Sequence, residues 1–206
     1  MAQVRPYRGI EAADRRAERR SRLLDAGLDI LGSNTDLSEL TVRGICRQAG
    51  VTARYFYESF NDKDDFIAAV FDWVIASLTA TTQAAVAEVP PKEQHRAAMA
   101  NIVRTIADDQ RIGRLVFSSH LAHPVLARKR VEGSGLLARL YGQDVGSALR
   151  VQAGERSKAT AQFAVGGVGI TISSWLAGDL KLTPDQLVDQ LAAILDALID
   201  PKLYRS

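Results

Sequence analysis

The chain has 206 residues, of which 47% are apolar, 24% charged and 6% aromatic, a balance typical of a globular protein with one large or two modest domains. Its one cysteine, Cys46, excludes an internal disulfide, and no apolar leader follows the N-terminal arginines, so we expect a cytoplasmic protein. Residues 1–22 carry seven arginines against three acidic residues, whereas residues 64–206 are balanced in charge. A positive end on a neutral body favours a polyanionic partner, although a solvated helix end has the same composition.

The spacing of apolar residues predicts an all-α fold. Apolar positions recur every three or four residues, and alternating runs joined by hairpin turns are missing. Glycine, proline and capping residues mark the expected ends. The predicted helices cover about residues 14–31, 41–49, 52–57, 61 onward, 92–107, 108–121, 124–154 with an interruption at 133–135, 155–177 and 183–200.

The stretch from Thr41 to Tyr57 has the pattern of a helix-turn-helix. Two short helices that meet near a right angle need a turn residue that tolerates positive φ, and Gly50 supplies it. Cys46 offers the small side chain that lets the helices approach, and apolar residues flank the turn at Ile45, Ala49, Val51 and Phe56. A purely structural corner of two helices satisfies many of the same requirements, so the pattern alone leaves both interpretations open.

The second of these helices has the chemistry of a DNA-reading surface. It presents Thr52, Ala53, Arg54 and Tyr55, with no acidic residue before Glu58. An arginine at position 54 can pair with guanine through two hydrogen bonds, and Ala53 or Tyr55 can touch a thymine methyl in the major groove. For Tyr55, half-buried packing is the alternative.

Phosphate contacts are expected around this surface. Thr41, Tyr57 and Lys63 offer hydroxyl and amine donors, and the N-termini of the second and fourth helices add backbone N–H groups. Half-buried packing is the alternative for Tyr57 as well. The arginine-rich N-terminal segment extends beyond the motif and can reach an adjacent minor groove.

Residues 19–66 resemble the DNA-binding domain of the TetR family of transcriptional regulators. Spacing and residue type agree over four segments, at residues 23–26, 40–45, 49–52 and 56–66. Gly27 and Cys46 depart from the family pattern, which usually has alanine at both positions. Cys46 is close to alanine in size, whereas a glycine inside a helix costs on the order of 1 kcal/mol.

The resemblance implies an all-α protein of about nine helices. A helix-turn-helix DNA-binding domain of three helices would cover residues 10–64, and a helical ligand-sensing and dimerisation domain residues 65–206. The family pattern implies a homodimer on double-stranded DNA, with a repressor function relieved by a small-molecule effector. By position, Thr41 and Arg43 fall where the second helix meets the DNA backbone, residues 52–55 fall on the recognition surface, and Tyr57 and Lys63 match phosphate contacts.

The last two predicted helices are the expected dimer interface. Residues 159–178 carry no charge, about the length of a membrane span, but polar residues and four glycines favour a buried protein interface. The final helix begins with a Thr183–Gln186 capping box and has an apolar stripe at Leu187, Leu191, Ile194 and Leu198. The resemblance makes these helices a four-helix bundle across a two-fold axis. Gly166, Gly167 and Gly169 allow close backbone approach, or alternatively make room for a pocket.

A ligand pocket is expected among the fourth to eighth helices. Its candidate lining is Trp73, Phe117, His120, Phe163 and Trp175, although core packing is the favoured interpretation for each aromatic residue. The interruption at residues 133–135 is a candidate hinge through which a ligand tilts the fourth helix. The three histidines do not have the spacing of a metal site.

The sequence is compatible with three classes of function. A DNA-binding regulator is the favoured class, and a helical ligand-binding or protein-interaction module without specific DNA binding is the alternative. An all-α enzyme is the least favoured, because the sequence has no glycine-rich phosphate loop, no metal or cofactor motif and no recognisable nucleophile–base pair. Repressors and activators grip DNA in the same way, so the sequence does not separate them, and neither the effector nor the operator is specified.

Overall fold

A computed structural model of the chain describes residues 7–33, 40–118, 123–149, 154–200 and 203. Nine α-helices lie in this part of the chain, and the described residues include no strand. The helices are α1 (Tyr7–Leu31), α2 (Val42–Ala49), α3 (Ala53–Tyr57), α4 (Lys63–Ala87), α5 (Gln94–Asp108), α6 (Gln110–Phe117), α7 (Pro124–Leu149), α8 (Glu155–Ala177) and α9 (Pro184–Ala197). The all-α prediction is therefore confirmed.

Most helix ends agree with the capping chemistry of the sequence. Thr183 begins α9 with the reciprocal capping box that its spacing to Gln186 predicts. Gly178 ends α8 in the left-handed conformation at φ 82°. By contrast, α1 begins at Tyr7, well before residue 14.

The predicted interruption at residues 133–135 is wrong, because α7 runs without a break from Pro124 to Leu149. Two glycines lower the intrinsic stability of a helix by on the order of 1 kcal/mol each. Packing of α7 against α4 on one side and α8 on the other outweighs that cost. The hinge predicted at residues 133–135 therefore has no break in the helix at which to bend.

The buried side chains form two cores. The first core joins α1, α2, α3 and α4 with parts of α6 and α7, and Leu23, Phe56, Phe66 and Leu115 are among its fully buried members. The second core joins α5, α8 and α9. The first core crosses the expected domain boundary at residues 64 and 65, because the beginning of α4 packs directly on α1.

Gly27 allows the close approach of α1 to α4. A Cβ atom at this position would lie 2.4 Å from Val70 Cγ2 and 2.7 Å from Phe66 Cζ. Both neighbours are fully buried, so they have little room to move aside. The departure from alanine at this position thus has a packing reason.

α4 is, among the described helices, the one long and apolar enough to cross a membrane by length and composition. A core helix passes the same test. α4 contributes Phe66, Ile67, Val70, Phe71 and Val74 to the first core.

Candidate nucleic-acid interface

The turn between α2 and α3 has the geometry that its sequence predicts. Gly50 adopts φ 64° and ψ 34°, and the Val51 N–H donates to the Cys46 carbonyl over 3.0 Å. Ile45, Cys46 and Ala49 are buried. Burial raises the pKa of the Cys46 thiol, which keeps it protonated and unreactive. Its role here is to fill a small space where two helices meet.

α3 projects from the first core on a single buried side chain. Phe56 is fully buried, and its ring centroid lies 5.5 Å from those of Phe60 and Phe66. Thr52, Ala53, Arg54 and Tyr57 are exposed, with Tyr57 at 61% of its full exposure. The outward face of α3 thus consists of the side chains that the sequence assigned to DNA contact.

Two of the predicted base-reading side chains have partners within the protein. Arg54 Nε lies 3.1 Å from Glu58 Oε1, in an exposed pair one helical turn apart. Tyr55 is half-buried, and the guanidinium carbon of Arg19 lies 4.1 Å above the centre of its ring. Tyr55 thus packs against Arg19 while part of its side chain stays exposed. Arg54 needs only to release a surface pair in order to contact DNA.

The predicted phosphate donors lie at the beginnings of α2 and α4, except Tyr57, which is the last residue of α3. Thr41 caps α2 by accepting from the Gly44 N–H over 3.1 Å, and Arg43 is exposed in the first turn. Lys63 Nζ donates to the Leu40 carbonyl over 2.9 Å, which places this amine beside Thr41. To bind a phosphate the amine must share or leave that carbonyl.

The beginning of α4 is less suited to an anion than the sequence suggested. Asp62 caps it by accepting from the Asp65 N–H over 2.8 Å. Asp64 and Asp65 add two more carboxylates in the first turn. These carboxylates already interact with the positive end of the helix dipole. The beginning of α2, which has no acidic residue in its first turn, is the better place for a phosphate.

The predicted pocket residues do not come together. Trp73 lines a cavity of about 100 Å³ among α1, α4, α5 and α6. Phe117 and Trp175 pack on the second core, where Trp175 Nε1 donates to the Leu182 carbonyl over 2.9 Å. Phe163 is 67% exposed on α8, so it does not line a pocket within the described monomer. His120 lies outside the described residues.

The cavity beside Trp73 has an uncharged wall. Its lining combines apolar side chains with three hydroxyls: Leu28, Trp73, Val74, Ser77, Leu78, Thr81, Thr105 and Ile112. The hydroxyls of Thr81 and Thr105 already donate to backbone carbonyls. Leu28 belongs to α1, so one wall of the cavity is part of the helix that supports α2 and α3.

A polar network joins α6 to the helix-turn-helix. Arg111 pairs with both Asp109 and Asp29, and Asp29 also accepts from Gln48 Nε2 of α2 over 3.4 Å. The hydrogen bond from Arg111 lowers the pKa of the Asp109 carboxyl. No local pattern indicates the contacts of Asp29, because Gln48 and Arg111 lie 19 and 82 positions further along the chain.

The histidines with described positions have structural partners. His95 Nδ1 lies 2.7 Å from Asp196 Oδ1 and ties α5 to α9. The described residues contain no group of three or more histidine, cysteine or acidic side chains that could hold a metal ion.

No family model and no curated protein matches the chain. Solved structures do. The fatty acid degradation regulator FadR from Bacillus halodurans superposes with a TM-score of 0.71 at 16% identity, covering 86% of this chain and 94% of that one. FadR from Bacillus subtilis, in complex with stearoyl-CoA, gives 0.65 at 19% identity, with coverage of 87% and 97%.

A protein from Syntrophomonas wolfei described as a TetR-family transcriptional regulator gives a TM-score of 0.72 at 12% identity, with coverage of 89% and 95%. All three are described as regulators. At these identities the likeness shows the fold and not the function. The resemblance in residues 19–66 thus extends to the architecture of nearly the whole chain, which has the fold of the TetR-family transcriptional regulators.

Proposed function

We propose that this protein is a DNA-binding transcriptional regulator that acts as a homodimer and is released from its operator by a small-molecule effector. The observation that carries the proposal is the outward face of α3. The N-cap residue Thr52 and the helix residues Ala53 and Arg54 are exposed just after the left-handed turn at Gly50, and Phe56 anchors the five-residue helix in the core. Such a protruding helix suits the major groove.

The proposed contacts divide between bases and phosphates. Arg54, with Thr52, Ala53 and Tyr55, reads base edges. Thr41, Arg43, Tyr57 and Lys63 bind phosphates around the groove. Residues 10–64 then act as the DNA-binding domain and residues 65–206 as the sensing and dimerisation domain, sharing the first core. A DNA partner requires a compartment that contains DNA, and we propose that this compartment is the cytoplasm.

The proposed dimer forms through α8 and α9. Phe163 and Ile170 on α8 are 67% and 71% exposed, and Ile194 on α9 is 43% exposed. Gly166 and Gly167 lie between Phe163 and Ile170 on α8, and a Cβ atom at either glycine would point into open space. Large apolar side chains exposed beside glycines favour close helix packing against a second copy of the chain.

The proposed effector site is the cavity beside Trp73. Because its lining has no charged side chain, it favours an uncharged, mostly apolar molecule that hydrogen-bonds to a hydroxyl. Its lining offers no cation for the phosphates of a CoA ester, such as the stearoyl-CoA bound to FadR from Bacillus subtilis. An occupant touches Leu28 of α1 and Ile112 of α6, next to the network of Arg111, Asp29 and Gln48.

Selection from a library of randomised DNA duplexes tests this function. We expect the wild type to enrich a two-fold symmetric sequence. The variant Arg54→Ala is expected to relax the preference at one base pair in each half-site by about 1–3 kcal/mol. Tyr57→Phe and Lys63→Ala are expected to weaken binding to all duplexes alike, because phosphates carry no sequence.

The matched control is Gln83→Ala, an exposed change on α4 away from α3. If the wild type enriches no sequence, the chain is a helical module without specific DNA binding. If Arg54→Ala leaves the preference unchanged, the assignment of the recognition surface is wrong.

A further inference from the structure

Three arginines on one face of α1 contact α3 and the turn that follows it. Arg16 Nη2 donates to the Glu58 carbonyl over 2.8 Å. The guanidinium carbon of Arg19 lies 4.1 Å above the Tyr55 ring, and that of Arg20 lies 5.2 Å from the Phe60 ring centre. We call Arg16, Arg19 and Arg20 the arginine row.

α3 needs support from outside itself. It has five residues, and an isolated helix of that length is unstable because nucleation costs more than its few hydrogen bonds return. Thr52, the residue before its first turn, makes no side-chain capping hydrogen bond, and Phe56 is its one buried residue. A single buried ring gives α3 one anchor in the first core, so the orientation of the helix also depends on contacts made by its other side chains.

The arginine row contacts α3 on both sides of this anchor. Arg16 binds a carbonyl just beyond the end of the helix, where an unpaired acceptor and the negative end of the helix dipole favour a cation. Arg19 stacks on Tyr55, one residue before Phe56. An arginine over an aromatic face is attracted by the ring and restricts its rotation.

Arg19 differs from its neighbours in exposure. It is half-buried, whereas Arg16, Arg20 and Arg22 are exposed. A cation whose function is only to attract phosphates gains nothing from being covered by a ring. The face that Arg19 turns to Tyr55 is therefore engaged within the protein.

We propose that Arg19 is a positioning residue for sequence recognition: it holds the Tyr55 ring, and with it the tilt of α3, in the orientation that reads DNA. The proposal rests on the proposed function and deepens it. Base reading then depends on a side chain of α1 that lies outside the helix-turn-helix. Direct binding of Arg19 to a phosphate is the competing role.

Discrimination between duplexes separates these two roles. The probes are the duplex that the wild type enriches and its single-base-pair variants. We expect Arg19→Gln to reduce discrimination about two- to fivefold at the base pairs next to Tyr55, the equivalent of an exposed cation–π contact. Arg19→Lys keeps the charge but cannot stack on the ring as a planar group. Compared with Arg19→Gln, it is expected to recover more of the affinity than of the discrimination between duplexes.

Arg22→Gln is the matched control for the loss of charge, since Arg22 is exposed on the same helix and makes no ion pair or ring contact with the described residues. It is expected to lower affinity for every duplex alike. Phosphate binding by Arg19 would produce that same uniform loss, with a salt dependence reduced by about 0.9 in the log–log slope. A uniform loss in Arg19→Gln therefore overturns the proposal.

A double-mutant cycle gives the second readout. In a Tyr55→Leu background, Arg19→Gln is expected to cause no further loss of discrimination, because the contact through which it acts is already gone. Additive losses would overturn the proposal.

Hydrogen exchange on the free protein separates failure of this inference from failure of the proposed function. The amides of Phe56, Glu58 and Phe60 are hydrogen-bonded within and after α3, and we expect them to exchange faster in Arg19→Gln than in Arg22→Gln. Faster exchange with no duplex enriched by the wild type would show that Arg19 supports α3 and that the DNA function is wrong. Equal exchange in the two variants would overturn the positioning role whatever the wild type binds.

Discussion

At the scale of single residues, Asp109 and Arg111 make the polar contacts that begin α6 and join it to α1. Asp109 caps α6 by accepting from the Arg111 N–H, and its carboxylate also pairs with the Arg111 side chain. Arg111 in turn reaches Asp29 of α1. One guanidinium thus connects the beginning of α6 with α1, the helix against which α2 and α3 pack.

The charge of Asp109 makes the stability of this connection depend on pH. Its pKa is lowered in the folded protein, chiefly by the hydrogen bond from Arg111. A lowered pKa stabilises the fold above the unfolded value of about 3.9, and that contribution disappears as pH falls through the folded value. Asparagine also caps helices well, so Asp109→Asn removes the charge and keeps the cap.

We expect Asp109→Asn to be less stable than the wild type at neutral pH by no more than about 1 kcal/mol, because Arg111 is 45% exposed and water screens the pair. The difference is expected to shrink as the pH is lowered below about 4. Urea unfolding at several pH values measures it. A difference that stays constant with pH would show that the charge of Asp109 contributes nothing.

At the scale of helices, the approach of α1 to α4 is set by Gly27. A methyl group there would meet Val70 and Phe66 at distances that buried side chains cannot accommodate without a shift. Alanine in a helix is favoured over glycine by about 1 kcal/mol, but overpacking costs about 1–3 kcal/mol. We therefore expect Gly27→Ala to lower the free energy of unfolding by about 1 kcal/mol, measured by urea unfolding.

Gly133→Ala on α7 is the matched control. Its new Cβ atom would lie 3.7 Å from Phe71 Cε1, an ordinary contact. The gain in helix propensity then acts alone, and the variant is expected to be more stable than the wild type by up to about 1 kcal/mol. Equal effects of the two substitutions would mean that α1 and α4 are not in close contact at Gly27.

Helices were predictable from the sequence wherever local chemistry decides them. The Thr183 cap, the Gly178 end of α8 and the Gly50 turn depend on residues within a few positions of one another. The interruption predicted at residues 133–135 was wrong, because packing of α7 on α4 and α8 outweighs the low helix propensity of two glycines. Helix position in the sequence was thus more predictable than helix continuity.

The candidate site was predictable only in part for the same reason. Exposure of Thr52, Ala53 and Arg54 follows from the turn and from the apolar character of Phe56. The contact of Arg19 with Tyr55 and the hydrogen bond from Lys63 to Leu40 join separate segments of the chain. No local sequence pattern predicts either contact. The pocket was the weakest prediction, because aromatic residues serve cores and cavities equally well.

At the scale of the whole molecule, the exposed apolar face of α8 predicts a dimer. We expect Phe163→Glu and Ile170→Glu to shift the protein toward a monomer, because each places a charge in a packed apolar interface. Sedimentation velocity over a range of concentrations measures the shift. The control Gln83→Glu adds the same charge on an exposed part of α4 and is expected to leave the dimer intact.

The dimer prediction has a consequence for DNA. If the monomeric variants keep the thermal stability of the wild type but lose affinity for the enriched duplex, dimerisation and DNA binding are linked. A wild type that sediments as a monomer at all concentrations would contradict the proposed interface.

The most direct test of the central claim is a hydroxyl-radical footprint of the wild-type protein on the duplex that it enriches. Two copies of α3 held by one dimer should protect two patches on the same face of the duplex, about 34–36 Å apart or a multiple of that distance. Arg54→Ala should keep both patches and weaken them. A single patch, or protection that spreads evenly along the duplex, would contradict the claim that paired recognition helices read two half-sites.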